Sequence, residues 1–449
     1  MIAFVESTRC VVALVLVVAY ISMCAAIFFR QRAVRQASLA PTTGDWLVVH
    51  ASQTGSALAL ARDTQQLLAS AGVKVGLMSL AQLDLSLLTA GGRVLFVVST
   101  YGEGDPPDEA AGFADRWMAS AAHLPDLHYG VLALGDDSYT HYCGFGRRLN
   151  AWLEASGATP CVARLEMNRG DESVRQAWRH ALIHLAGTRD APDWEGPRFD
   201  NWSVASREWL NPGSLGEPVY RIGLKPTSGV LPTWEAGDLV QVRVPDAGDH
   251  PRDYSIASVP AQGAIELLVR LHRREDGTIG EASGWMANAD IGAQLPLRVR
   301  EHPAFRSTAH QDRKLILIGN GTGLAGLLAH LRQRAEQVAA PPCWLFFGER
   351  QQAHDFLLRD ELEQFQQQGV LSACDVVFSR DGGDSRYVQE LLVVQAELLR
   401  QWVSEGAAIL VCGSLKGMAE GVHNALTTVL GSDQLQLLQQ QGRYQRDVY

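Results

Sequence analysis

The strongest constraint on the fold of this 449-residue chain is that its hydrophobic period changes twice. From Asp45 to about Gly187, short unbroken apolar runs (WLVVHA, RVLFVVST, YGVLALGD) alternate with amphipathic stretches closed by glycine (ALALARDTQQLLASAG, FGRRLNAWLEASG). Strands that are apolar throughout are buried on both faces, so the intervening helices must cover a parallel sheet. From about Val204 to His302 the texture becomes short alternating strands (PVYRIGLKP, DLVQVRVP, AIELLVRL, QLPLRVR) separated by Gly, Pro and Asp, the pattern of a small antiparallel barrel. From Lys314 the α/β alternation returns with KLILIG, CWLFFGE, CDVVFS and AAILVCGS. Such a length exceeds one core. The expected order is an α/β domain over 45–187, an interdomain linker over 188–212, a β-barrel over 213–305 and a second α/β domain over 306–449.

Ahead of these lies a different kind of segment. Val11 to Phe29 holds no charged residue, long enough to span a bilayer core as a helix. Arg30, Arg32 and Arg35 follow at once, so the positive-inside bias puts the rest of the chain in the cytoplasm. The expectation is a single-pass anchor over 1–30 in the cell (inner) membrane and a polar linker over 31–44. A cleaved secretory signal fits less well, because the positive charge lies on the wrong side and no small-x-small site follows. The formal net charge of −10 excludes a nucleic-acid partner. Seven scattered cysteines without paired spacing indicate no metal site and no disulfide framework.

The loops carry the chemistry. The first strand runs into SQTGSA (Ser52, Gln53, Thr54, Gly55, Ser56, Ala57), whose hydroxyls and converging backbone N–H groups at a helix start make a phosphate cradle without a lysine. That missing charge favours a resident monophosphate over a nucleotide being turned over. The next two strands end in STYGEGDPPDEA (Thr100, Tyr101, Gly102, Gly104) and LGDDSYTHYCGFG (Leu134, Gly135, Asp136, Tyr139, Tyr142, Cys143). Loops at the carboxyl ends of such strands line the ligand crevice, and Tyr101 and Tyr139 suit the two faces of a flat ring. The three loops together resemble an FMN-binding flavodoxin, with LGDDSYTHYC in the form seen in sulfite reductase flavoproteins.

In the barrel, RDYS (Arg252, Asp253, Tyr254, Ser255) followed by GEAS (Gly280, Glu281, Ala282, Ser283) resembles the FAD site of the ferredoxin–NADP reductase family. The resemblance implies Arg252 on the diphosphate, Tyr254 stacked on the isoalloxazine and Ser255 at its reactive nitrogen. In LILIGNGTGLAG, Gly321, Thr322 and Gly323 match the family's NADP turn, and Gly326 formally completes GxGxxG. Asn320 stands where the family has proline, which is expected to loosen the loop. Ser379, Arg380, Arg386, Tyr387 and Gln389 match the pocket for the adenosine 2′-phosphate, although Ser385 replaces the usual lysine. Cys412 and Gly413 match the cysteine beside the nicotinamide. The closing RYQRDVY implies Tyr449 as a lid over the flavin and Asp447 beside Ser255 and Cys412, which makes Ser255, Cys412, Asp447 and Tyr449 the expected catalytic group.

Residues 45–449 thus resemble the diflavin reductases. That family implies FMN, FAD and NADPH, with electrons passing from NADPH to FAD to FMN and then to a haemoprotein or other one-electron acceptor. One departure is clear: GDLVQVRVPDAGDHPRDYS leaves no room for a helical connecting domain, and LNPGSLGEPVYRI is similar to short membrane-anchored bacterial members. The acceptor is therefore either a sulfite reductase haem subunit or a membrane haem or ferric-siderophore system. A tethered FMN carrier module loaded by another protein is the alternative. Acidic residues Glu103, Asp105, Asp108 and Glu109 around the expected FMN edge would steer a basic partner.

Overall fold

The computed structural model describes residues 46–187, 198–244, 251–274, 276–382 and 387–449. The anchor and linker read over 1–44, and Arg386 of the nucleotide pocket, lie outside the described residues. Among those described, no helix is long and apolar enough to cross a membrane.

Three sheets organise the chain. The first contains β1 (Trp46–Ala51), β2 (Val75–Ser79), β3 (Gly92–Ser99), β4 (Leu127–Gly135), β5 (Thr159–Pro160) and β6 (Leu165–Asn168). All pair parallel in the order β2-β1-β3-β4-β5, with β6 also on β4. Helices α1 (Ser56–Ser70), α2 (Asp108–Trp117) and α3 (Gly144–Ala155) follow β1, β3 and β4 directly. Apolar clusters form on both faces, one around Phe96, Tyr129 and Phe145 and the other around Leu95, Leu132 and Trp178. This double burial explains the continuous apolar strands.

The second sheet is antiparallel, in the order β10-β9-β12-β7-β8-β11. Its strands are β7 (Asp200–Trp209), β8 (Val219–Pro226), β9 (Leu239–Val242), β10 (Arg252–Ser255), β11 (Ile265–Arg270) and β12 (Gln294–Arg300). The Ala257 N–H donates to the Glu266 carbonyl (2.8 Å), drawing the outer strands together around a core that includes Trp202, Ile222 and Met286. Strand β9 pairs directly with β10, leaving no inserted domain between them among the described residues. Strand β7 corrects the sequence reading, which left it in the linker. Only Trp202 and Val204 of its ten residues are buried, and its register shifts between Val204 and Ser206, so strict alternation is lost.

The third sheet is parallel again, in the order β15-β14-β13-β16-β17. It comprises β13 (Leu315–Asn320), β14 (Cys343–Glu349), β15 (Leu371–Phe378), β16 (Ala408–Gly413) and β17 (Tyr444–Val448). Strand β17, formed by what reads in sequence as a tail, pairs with β16 from Ile409–Tyr444 to Gly413–Val448. Helices α4 (Glu281–Asn288) and α5 (Leu324–Ala335) begin at the GEAS and GNGTG turns.

Candidate active site

The site forms where the carboxyl ends of β1, β3 and β4 meet the ends of β10, β12, β16 and β17. Parallel pairing of β16 with β17 puts Cys412 opposite Asp447. From β10 the Ser255 hydroxyl donates to Asp447 Oδ2 at 2.7 Å, and the Cys412 thiol lies 3.6 Å from the same oxygen. All three side chains are buried. Burial, the negative charge of Asp447 and its hydrogen bond keep the Cys412 thiol protonated, well above its ordinary range. Gly326 makes the meeting possible, because a side chain there would lie 3.0 Å from Cys412 Sγ. The last glycine of the formal GxGxxG therefore serves packing between the sheets.

Beside this cluster lies a cavity of about 690 Å³ lined by Gly321, Thr322, Gly323, Ser379, Tyr387, Gln389, Gly413 and Tyr449, all singled out by the sequence. Tyr449 is exposed at the chain end, while its backbone is held by bonds from Tyr449 N to Gly413 O (3.0 Å) and from Leu415 N to Tyr449 O (2.9 Å). Cys412 lies beneath the cavity, and Arg380 is an exposed residue next to Ser379. Sequence reasoning missed Arg270, Asn320, Glu349 and Arg350 in the lining. Asn320 does not loosen its loop: its Oδ1 accepts the Ser414 N–H at 3.0 Å and ties the two strand-end turns together. Arg270 pairs with Glu349, yet its Nη1 is buried without a partner. A guanidinium with an unused donor beside Gly321 fits the diphosphate of a dinucleotide.

On the barrel, Arg252 and Tyr254 lie on β10, while exposed Asp253 pairs with Arg300 (3.0 Å). Burial pushes the Tyr254 phenol up. Gly280 precedes α4, with Glu281 and Ala282 in its first turn. The Ser283 hydroxyl is engaged within the chain, accepting from His272 N and donating to Gly280 O. This turn therefore offers a ligand its backbone rather than that hydroxyl. The Ser255 hydroxyl, the Asp447 carboxylate and the Tyr449 ring together fit a flat heteroaromatic ring with polar edges.

The flavodoxin-type loops face the reductase half. Gly55 has a left-handed φ of 83° at the start of α1, and a side chain on it would stand 2.5 Å from the Glu301 carbonyl oxygen. The Ser52 hydroxyl accepts the Ala57 N–H (3.2 Å), closing the loop, and Thr54 remains half-buried. His302 Nε2–H donates to the Gln53 carbonyl (2.8 Å). Thr100 Oγ1 accepts the Phe145 N–H (3.2 Å), linking two of the loops. Tyr101 is half-buried with its hydroxyl buried and unpartnered, and the Arg446 guanidinium lies over its ring at 5.3 Å. An orphaned phenol at this crevice fits an uncharged ring with polar edges.

Gly102 approaches Leu415 of the third sheet's turn, and Gly104 approaches His141. Leu134 and Gly135 end β4, while Asp136 pairs with Arg169 (2.6 Å) and half-buried Tyr139 donates its N–H to the Asp136 carbonyl. Tyr142 lies under Arg147 at 5.6 Å, and the Cys143 thiol turns inward to the Ala133 carbonyl, so only its backbone faces the loop.

The acidic patch read from sequence is divided by the fold. Asp108 makes a two-pronged ion pair with Arg446, and Glu109 accepts from Ser52 N and Ser79 Oγ. Glu103 and Asp105 remain exposed. Partner steering by all four acids is thus corrected: two of them are engaged by groups inside the protein.

Residues 48–178 match the flavodoxin family, and residues 317–424 match the oxidoreductase NAD-binding domain family. This is the arrangement of a diflavin reductase. The cofactors of such a diflavin reductase are FMN on the flavodoxin, with FAD and NADPH on the other half. The chain is similar to sulfite reductase [NADPH] flavoprotein alpha-components. The one from Photobacterium profundum is 25% identical over 543 residues, covering 91% of this chain and 90% of that protein. The Vibrio cholerae protein is 26% identical over 541 residues (91% and 88%), and that of Bacillus subtilis 27% over 539 (90% and 89%). Alignments this long exceed the 449 residues available, so at least ninety aligned positions of these relatives have no counterpart here. The direct β9–β10 pairing is in keeping with that deficit.

Proposed function

We propose that this chain is a membrane-anchored NADPH-dependent reductase that delivers electrons to a haemoprotein or another one-electron acceptor. The observation that carries the reading is the Ser255–Asp447–Cys412 cluster between the dinucleotide cavity and the flavodoxin loops. When bound, the cofactors supply hydride acceptance from NADPH and one-electron transfer through FAD and FMN.

The chain's own residues bind, orient and hold charge. Arg270 and the Gly321–Gly323 turn would bind the NADPH diphosphate, with Ser379 and Arg380 at the 2′-phosphate. Tyr449 would cover the flavin face until nicotinamide displaces it. Asp447 holds the Ser255 hydroxyl in one orientation and stabilises positive charge developing beside it. Arg252, Tyr254 and the α4 start would hold FAD, while the Ser52–Ala57 loop, Tyr101 and Tyr139 would hold FMN. The anchor reading is supported by the uncharged Val11–Phe29 run and the arginines behind it.

The test is an anaerobic NADPH titration of the full chain in detergent, followed by visible absorbance. Uptake of about four electrons per chain is expected from two working flavins. Uptake of two or none would refute the internal relay and favour the carrier module.

A further inference from the structure

The phosphate cradle on the flavodoxin half contains no cation of its own: SQTGSA offers hydroxyls, an amide side chain and backbone N–H groups only. A bound monophosphate carries close to two negative charges near neutral pH. The structure brings a cation to it from elsewhere. Arg300, the last residue of β12 on the reductase half, donates from Nη1 to Ser56 Oγ in the first turn of α1 at 2.9 Å. Its side chain is only 8% exposed, and both Nε and Nη2 are buried with no hydrogen-bond partner. Asp253, 3.0 Å from Nη1, is its one ion-pair partner among the described residues. A buried guanidinium with two unused donors is costly unless an acceptor arrives.

The surroundings agree. Burial and the neighbouring charge of Arg300 push the Arg298 guanidinium down to about 10, as expected where positive charge is in excess. The boundary is closed by further contacts on either side of Arg300: Arg62 of α1 pairs with Glu301 (3.0 Å), and His302 binds the Gln53 carbonyl.

We propose that Arg300 completes the FMN phosphate site across the boundary between the two halves. The inference rests on the reading of Ser52–Ala57 as the FMN cradle and adds a ligand from outside the flavodoxin. FMN retention and docking are then thermodynamically linked: the phosphate holds the halves together, and docking holds the phosphate.

The experiment uses the full chain stripped of flavins, titrated with FMN and with riboflavin by fluorescence quenching, with FAD content measured in parallel. Arg300→Gln is expected to weaken FMN about ten- to a hundred-fold, the range for a lost charged hydrogen bond. Riboflavin, which lacks the phosphate, should change by less than about two-fold, and the 31P resonance of bound FMN should shift. Asp253→Asn is the second variant, on an exposed side chain. Removing the competing carboxylate should tighten FMN relative to riboflavin, a direction that damage to the fold would not produce. Equal effects on FMN and riboflavin in Arg300→Gln, a loss of FAD with FMN unchanged, or an FMN preference in Asp253→Asn that stays the same or falls would each overturn the proposal. If the unmodified chain binds neither FMN nor riboflavin, it is the cradle reading that fails.

Discussion

Asp108→Ala should undock the flavodoxin from the reductase half. Asp108 begins α2, and its two carboxylate oxygens meet Nε and Nη2 of Arg446, whose carbonyl also accepts from Gln53 Nε2 (3.1 Å). The side chains are 15% (Arg446) and 19% (Asp108) exposed. Removing one partner of a fully buried pair costs about 3–5 kcal/mol, mostly from the charge left behind. Residual exposure lowers this to roughly 2–3 kcal/mol, or about 30- to 150-fold in the docking equilibrium. Stopped-flow mixing with NADPH separates the two consequences. The first phase, confined to the reductase half, should keep its rate, while electron arrival at the flavodoxin slows. Arg446→Ala should behave alike, and the double variant should be milder than the two singles combined, since it leaves no orphaned charge. Strictly additive losses, or a second phase unchanged within two-fold in both singles, would refute the reasoning.

Three further outcomes are expected. Asp447→Asn should slow FAD reduction by about a hundred-fold with NADPH affinity unchanged, measured as first-phase rate against NADP+ binding; an equal loss in binding would make Asp447 a mere structural residue. Arg270→Met should raise the KM for NADPH about ten-fold or more at constant FAD content, read by steady-state assay with ferricyanide as acceptor. Burial pushes His330 down to about 3, so the folded state keeps it neutral while the unfolded chain takes up a proton below about pH 6.5. Its contribution is therefore full above pH 6.5 and is lost as pH falls, by about 1.4 kcal/mol per unit; His330→Asn should flatten that slope in denaturant melts taken between pH 5 and 7.5.

Much of the frame was legible because strands such as Trp46–Ala51 and Cys343–Glu349 are buried along their whole length and announce themselves as apolar runs. Ser255, Cys412 and Asp447 were legible only through family resemblance, since nothing in their spacing brings positions 255, 412 and 447 together. Strand β7 was lost because a bulge and a solvent-facing half disguise it. Strand β17 needs β16 beside it before its mixed RYQRDVY pattern means anything. The boundary between the halves was not legible at all. Arg300 reaches Ser56 across 244 residues and Asp108 meets Arg446 across 338, so the acids of STYGEGDPPDEA looked free for a partner when Asp108 and Glu109 were already engaged.

Because β7 draws Asp200–Trp209 into the barrel, the connection between the halves is shorter than the sequence suggests. The chain from Ala186 to Asp200 can extend at most about 45–50 Å at some 3.5 Å per residue. Tethered on so short a leash, the flavodoxin meets its own reductase at an effective concentration in the millimolar range. The loops around Tyr101 that dock inward are also those an outside acceptor would need. An acceptor therefore competes with an internal rival that never diffuses away, and one held close to the flavodoxin would compete far better than one dissolved at micromolar levels.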